Sequence, residues 1–404
     1  MDQKNSGCLY EVEKGTILRI LFCNYEYPPL GGGGGVVNAY LAQELAKRHE
    51  VTVLTSQGLG LPQEASENGV RVVRVPVVFR KQEASANLLS MLMFLPMGIA
   101  RGKKLLATNK FDILNTHFVL PTGPVGQALA RYGQIPNILS VHGGDLFDPS
   151  KFTSPHRHVI LRLWVRHLLK RADTVVGQSK NTLENVGRFY TREVQPVRIP
   201  LGIPKPQLDG AHRDAYGFRK DEVLFMTVGR LVARKGIPQL LEMMEGFRGE
   251  KVRLVIIGSG PQEHSLKEEC SKRQVSSQVA FMGFVKEEEK FRLLQISDAY
   301  VSTSQHEGFG LVFLEAMACG LPIVCYDHGG QTDFLSDREN GFVVPLNNLA
   351  VFAEKSRMIA CDGELRKSIG ERNRRSVEEY FIERCGEKYE ALFQEAVQRH
   401  VGQG

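Results

Sequence analysis

Two runs of alternating strand-like and helix-like sequence, split by a proline-rich connector, constrain this chain more than any other feature. Each run repeats one unit: a short apolar stretch rich in β-branched residues, a glycine-bearing turn, then a helical pattern. Apolar stretches without polar alternation suit strands buried on both faces, and strand–helix alternation builds parallel sheets covered by helices. The connector carries Pro200, Pro204 and Pro206 around Gly202 and extends to about residue 210, a composition that interrupts regular structure. The expected fold class is α/β, with two Rossmann-like doubly wound domains over residues 1–203 and 204–382 and a cleft between them.

In the first half, strands are expected at 17–23, 51–55, 71–77, 111–117, 137–141, 172–179 and 197–201, with helices at 36–48, 87–107, 155–171 and 180–190. The turn after the first strand holds five consecutive glycines, Gly33 and Gly34 among them, so backbone there can approach phosphate or sugar oxygens. The segment 87–107 is amphipathic and ends in Arg101, Lys103 and Lys104. A core-facing helix with a solvated basic end is favoured over a helix lying on lipid headgroups. His142, ahead of Gly143 and Gly144, sits just beyond a strand C-terminus, where open parallel sheets place ligands.

In the second half, strands are expected at 223–228, 252–257, 279–285, 299–302, 323–326 and 342–344, with helices at 349–360, 364–380 and 383–398. Arg230 and Lys235 straddle the first turn and can meet a diphosphate, Arg by a two-pronged fork and Lys as a point charge. The most informative turn follows the run 299–302. Here His306-Glu307-Gly308-Phe309-Gly310-Leu311 leads into a helix reaching residue 319, stopped by Gly320 and Pro322. The first amides of a helix lack intrahelical partners and its dipole favours negative charge, so this is an anion site. Glu307 and Glu315, eight positions apart, flank it. A carboxylate beside a phosphate is unfavourable unless hydroxyl groups donate to it. The pair therefore suits a diphosphate with a polyol at each end, the layout of a nucleotide-sugar.

A net charge of +6 suits an anionic substrate or an acidic membrane surface. No dense basic stripe argues for nucleic acid. The seven cysteines show no metal-ligand spacing, which points to free thiols in a reducing compartment. The polar first residues do not read as a secretory signal, and the longest apolar run, 88–100, is too short to span a bilayer.

Taken in order, the glycine loop, Val141-His142-Gly143-Gly144-Asp145, Gly229-Arg230-Leu231 with Lys235-Gly236, Gly258-Ser259-Gly260-Pro261 and the Glu307-to-Glu315 element resemble the retaining nucleotide-sugar glycosyltransferases of the GT-B fold, specifically glycosyltransferase family 4. The likeness covers nearly the whole chain. It implies a catalytic set of His142, Arg230, Lys235 and Glu307, with Arg230 and Lys235 neutralising the leaving diphosphate and Glu307 holding hydroxyls of the transferred sugar. Glu315 would hold the ribose, Gly308, Phe309, Gly310 and Leu311 would meet the diphosphate through their backbone, and Gly33, Gly34, Gly229 and Gly258 would complete the donor site. It further implies no metal, no cofactor beyond the donor, and a last helix crossing back to the N-terminal domain. The expected partners are a UDP- or GDP-sugar and a glycan, lipid-linked or small-molecule hydroxyl acceptor, in a cytoplasmic protein touching at most the inner face of the membrane. Two departures stand out: residues 200–204 read Pro-Leu-Gly-Ile-Pro where relatives often carry Asn-Gly-Val-Asp, and Asp333 stands where Glu is usual. A non-catalytic nucleotide-sugar-binding subunit is the alternative. A dinucleotide oxidoreductase is disfavoured, because the fingerprint glycines are missing and Thr55-Ser56-Gln57 ends the second strand without an acid.

Overall fold

The computed structural model describes residues 16–58, 60–78, 87–148 and 152–402. Its strands form two sheets. The first holds β1 (Arg19–Cys23), β2 (Glu50–Ser56), β3 (Glu64–Glu67), β4 (Val70–Val75), β5 (Ile113–His117), β6 (Asn137–Val141), β7 (Thr174–Gly177) and β8 (Val197–Arg198), in the order β3-β4-β2-β1-β5-β6-β7-β8. β1 pairs in parallel with β2 and β5, while β3 runs antiparallel to β4 along the edge. Ile20 to Cys23 and all of β5 are buried, as continuous apolar runs at a sheet centre require.

The second sheet holds β9 (Val223–Val228), β10 (Val252–Ile257), β11 (Val279–Gly283), β12 (Ala299–Ser302), β13 (Ile323–Tyr326) and β14 (Gly341–Val344). Its order is β11-β10-β9-β12-β13-β14, and its pairings are all parallel. Chain direction across this sheet reverses between β9 and β12, the arrangement of a doubly wound fold. The expected two-sheet α/β architecture is therefore the observed one.

The chain divides into two compact units, residues 1–140 with 167–175 and 386–404, and residues 141–166 with 176–385. In the first, Leu21, Leu54, Val73, Phe94, Leu114 and Leu129 belong to one apolar core. The helix Leu88–Thr108 turns Ser90, Phe94, Gly98, Gly102 and Leu105 inward, a stripe at near-helical spacing, and leaves Lys103 and Lys104 exposed. It lies so close to the helix Thr122–Gly133 that a Cβ on Gly102 would stand 2.4 Å from a Leu129 methyl. The last helix, Ile382–Val401, packs its later turns in this same unit, where Glu390 meets Arg48 at 2.9 Å and Tyr389 bonds Ser140 at 3.0 Å. The second unit is built around Phe225, Leu254, Val301, Val324 and Phe352. Among the described residues no helix is long and apolar enough to cross a membrane. The described cysteines are free thiols.

Candidate active site

The site grows out of the switch between β9 and β12, where the two outgoing loops must sit side by side. After β9 the chain passes Gly229 and Arg230 into a single 3-10 turn, Ala233–Lys235, and then the helix Ile237–Glu245. After β12 it runs through Thr303 to Gly310 into the helix Leu311–Ala318. The loops are tied together by the Gln305 amide donating to the Arg234 carbonyl at 2.8 Å and by Thr303 Oγ1 donating to the Gly236 carbonyl at 2.8 Å. The loop after β10 closes in from the other side. Gly258 has φ +132°, and a Cβ there would lie 2.0 Å from the Gly229 carbonyl oxygen, so only glycine fits.

This packing brings Lys235 and Glu307 together. Lys235 Nζ lies 2.5 Å from Glu307 Oε1, and Arg234 Nη1 lies 3.2 Å from Oε2 while also donating to the His306 carbonyl. The side chains of Glu307 and Lys235 are 10% and 13% exposed, so the pair is little screened by water. Burial alone would raise the Glu307 carboxyl, but Lys235 and Arg234 outweigh it and hold the group at about 2. Glu307 is therefore a fixed anion at physiological pH. The sequence points to Arg230 and Lys235 as the cations for a diphosphate; the structure adds Arg234 beside Glu307. Arg230 is exposed and makes no ion pair among the described residues. The Arg-Lys doublet before Gly236 was the available signal for Arg234, but its direction depends on the 3-10 turn.

Glu315 sits on the second turn of the helix Leu311–Ala318, buried at 5% exposure. Lys290 Nζ reaches its Oε1 at 2.8 Å, a partner 25 positions earlier that spacing alone does not reveal. Burial raises the Glu315 carboxyl; Lys290 pulls it down and Glu287 pushes it up again, leaving it above the usual range. Its other oxygen, Oε2, is buried with no hydrogen-bond partner, as are His306 Nδ1, Gln178 Oε1 and Gln331 Oε1. Leaving one such group unpaired costs about 1–3 kcal/mol. These orphans sit around the same turn: Gln331 packs against Gly310, and Gln178 against Gly308. Unsatisfied polar atoms around a helix N-terminus suit a polar ligand. Gly310 caps that helix at φ +93° with no side-chain capping hydrogen bond. Phe309 is buried and Leu311 opens the helix.

His142 belongs to the same unit as this turn. Its carbonyl accepts from Gln178 Nε2 at 2.7 Å, its amide donates to Asp145 at 3.0 Å, and a Cβ on Gly308 would lie 3.2 Å from that carbonyl. Burial pulls the imidazole down, partly offset by hydrogen bonding to Gln178, to about 4. It is neutral at pH 7. Gly33 and Gly34 begin the helix Gly33–Ala46 of the other unit, where a Cβ on Gly34 would strike the Phe118 ring. Asp333 accepts from the Lys180 amide at 2.8 Å and pairs with Arg198 at 3.2 Å. Among the described residues no group of three His, Cys, Asp or Glu side chains is placed to hold a metal ion.

Two doubly wound sheets, parallel but for the edge strand β3, with a cation–carboxylate cluster and an open helix N-terminus at the switch point of the second, fit a nucleotide-sugar transferase of the GT-B class. Residues 31–205 match glycosyltransferase family 4, and residues 209–376 match the glycosyl transferases group 1. A glycosyltransferase of Methanocaldococcus jannaschii is 30% identical over 345 residues, 82% of this chain and 86% of that one. The N-acetyl-alpha-D-glucosaminyl L-malate synthase of Bacillus anthracis is 26% identical over 388 residues, 91% and 94% of the two chains. The alpha-monoglucosyldiacylglycerol synthase of Acholeplasma laidlawii is 27% identical over 354 residues, 80% and 84%. Among solved structures, sucrose-phosphate synthase from Thermosynechococcus elongatus superposes with a TM-score of 0.81 at 21% identity, covering 94% and 98% of the chains. Anabaena HepE in complex with UDP-glucose gives 0.72 at 19% identity, covering 93% and 99%. The chain belongs to the family 4 glycosyltransferases and is a transferase that acts in glycan, glycolipid or polysaccharide biosynthesis.

Proposed function

We propose that this enzyme moves a hexosyl unit from a UDP- or GDP-sugar to a hydroxyl acceptor with retention of anomeric configuration, in assembling a cell-envelope glycolipid, lipopolysaccharide or polysaccharide. Residues 204–382 carry the donor, and residues 1–203, with the last helix, carry the acceptor. The observation behind this reading is the Lys235–Arg234–Glu307 cluster beside the open N-terminus of the helix Leu311–Ala318. A lysine ammonium has three donors, and Glu307 uses only part of that capacity, leaving the rest for a phosphate oxygen. Glu307 keeps an accepting carboxylate for sugar hydroxyls, and the free Oε2 of Glu315 accepts from the ribose.

In the step proposed, the acceptor oxygen bonds to the anomeric carbon from the face that the leaving group vacates. The bond from that carbon to the diphosphate breaks with its electron pair passing to the diphosphate. The acceptor proton ends on a diphosphate oxygen. Lys235 and the helix amides meet the developing charge, so no cofactor besides the donor is called for. Support for the donor class comes from HepE, whose structure holds UDP-glucose.

A panel of UDP- and GDP-sugars tests the reading through thermal shift and release of nucleoside diphosphate. One donor raises the melting temperature and is consumed, and NMR of the product shows the retained anomer. Lys235→Ala lowers turnover by about 10²–10³-fold, as for loss of one charge-stabilising donor, with unchanged circular dichroism. Absence of any donor response, or near-wild-type turnover in Lys235→Ala, overturns the assignment; an inverted product overturns retention alone.

A further inference from the structure

An outward apolar band lies on the helix Val159–Arg171 and the segment before it. Phe152, Val159, Ile160 and Leu163 are 79%, 68%, 80% and 60% exposed, and Trp164 is 36% exposed. Val165, Leu168 and Leu169 hold the inner side of the helix in the core. The exposed apolar residues are therefore not part of the core-facing stripe; at 159, 160, 163 and 164 they form a second stripe pointing away from it. Isolated apolar residues on a surface need no explanation, but a contiguous group does.

Charge decides what covers it. From residue 152 to residue 171 there is no aspartate or glutamate, while Arg157, Arg162, Arg166, Lys170 and Arg171 lie among the apolar residues. Arg162 and Arg166 are exposed. Arg162 Nε donates to the Phe189 carbonyl at 3.2 Å, and Arg166 reaches Glu193 at 3.0 Å. A two-fold contact with a second copy would set this cationic face against itself. Basic side chains interleaved with aliphatics and a flanking tryptophan instead match the headgroup boundary of an anionic bilayer.

We propose that residues 152–166 dock on an anionic lipid surface. Phe152, Ile160 and Leu163 enter the headgroup–acyl boundary, Trp164 lies at headgroup depth, and Arg162 and Arg166 meet the lipid anions. This surface goes beyond the transferase reading and does not depend on the identity of donor or acceptor.

The chain has one tryptophan, Trp164, so tryptophan emission excited selectively over the 11 tyrosines reports on this patch. The full chain is titrated with vesicles of phosphatidylcholine, with and without phosphatidylglycerol, and co-sedimentation is measured in parallel. Anionic vesicles shift the emission to the blue and carry the protein down, zwitterionic ones do neither, and added salt weakens the effect. Each cation near an anionic leaflet is worth roughly fivefold, so Arg162→Gln with Arg166→Gln weakens partitioning about 25-fold. Ile160→Ser with Leu163→Ser weakens it about tenfold or more. Leu89→Ser with Leu92→Ser, on the exposed apolar residues of the helix Leu88–Thr108, leaves it unchanged.

No binding to anionic vesicles overturns the proposal. So does loss of binding in the Leu89/Leu92 variant with retention in the Ile160/Leu163 variant. A concentration-dependent blue shift without lipid, with a dimer mass by light scattering, also overturns it and assigns the face to a second copy. Donor binding and nucleoside diphosphate release measured without vesicles stand apart from all these outcomes, so either reading can fail alone.

Discussion

Replacing Glu307 by glutamine tests the electrostatic reading of the site most directly, because the substitution keeps shape and removes one charge. The buried carboxyl is held at about 2, against its ordinary 4.5. A displacement of that size corresponds to about 3 kcal/mol of folding stability at neutral pH. As the pH falls, the unfolded chain takes up a proton at Glu307 near the ordinary value, while the folded chain resists until about 2. The unfolded state therefore binds more protons in this window, and the contribution is whole above about pH 5.5 and lost toward pH 2. By about pH 3.5, roughly 1.4 kcal/mol of it is gone. In Glu307→Gln the contribution is absent at every pH, and the charges of Lys235 and Arg234 are left uncompensated by an amount that does not vary across the acid range. Urea denaturation of wild type and variant, from about pH 7 to about pH 3.5, shows a stability gap that narrows by roughly 1.4 kcal/mol. All other carboxylates are common to both proteins and cancel. A gap that stays constant with pH refutes the ion-paired anion and, with it, the idea that Lys235 is held in place by Glu307.

Two further outcomes are expected. Gly258→Ala forces an L side chain to φ +132° and sets its Cβ 2.0 Å from the Gly229 carbonyl oxygen, so stability falls by about 3 kcal/mol or more in denaturant titration; a loss below about 1 kcal/mol would mean the two turns are not packed together. The His142 imidazole, held at about 4 by burial, stays neutral at pH 5.5 in NMR of labelled histidine, where an ordinary histidine is mostly protonated. Because the unfolded chain protonates His142 first, this burial costs stability as the pH falls from about 6.5 toward 4, and a titration midpoint near 6.5 in the folded protein would contradict its placement.

Both sheets were legible because parallel strands buried on two faces leave uninterrupted apolar runs, as at Ile20 to Cys23 and Leu254 to Ile257. Two elements were not. The helix Thr122–Gly133 opens Thr-Gly-Pro and carries three glycines, which reads locally as a turn. Its small residues answer a tertiary demand instead, since a Cβ on Gly126 would lie 2.0 Å from Thr116 Oγ1 on β5. The edge strand β3, Glu-Ala-Ser-Glu, has the charged composition that keeps an edge from pairing with other chains, so it offers no apolar signal. In the site, Lys235, Glu307 and Glu315 could be found because each sits at a fixed offset from a turn glycine. Arg234 and Lys290 could not, because their partners are distant in sequence and their direction is set by packing.

Those two unforeseen cations change how the site works. On sequence alone, Glu307 and Glu315 are acids beside a place for phosphate, an unfavourable arrangement that only ligand hydroxyls relieve. In the folded chain each acid already meets a cation: Lys235 with Arg234 for Glu307, and Lys290, shared with Glu287, for Glu315. Glu307 therefore does not oppose the approach of a diphosphate, and its cluster leaves one positive charge unmatched beside the helix N-terminus. What the pairing leaves open is acceptor capacity rather than charge: Glu315 Oε2 is buried and unbonded. A ligand that brings hydroxyl donors to that oxygen and an anion to Lys235 satisfies both at once, whereas a simple phosphate satisfies only the second. On the proposed reading, the site favours a nucleotide-sugar over simple phosphate through an unsatisfied hydrogen bond, a stronger source of selectivity than charge attraction alone.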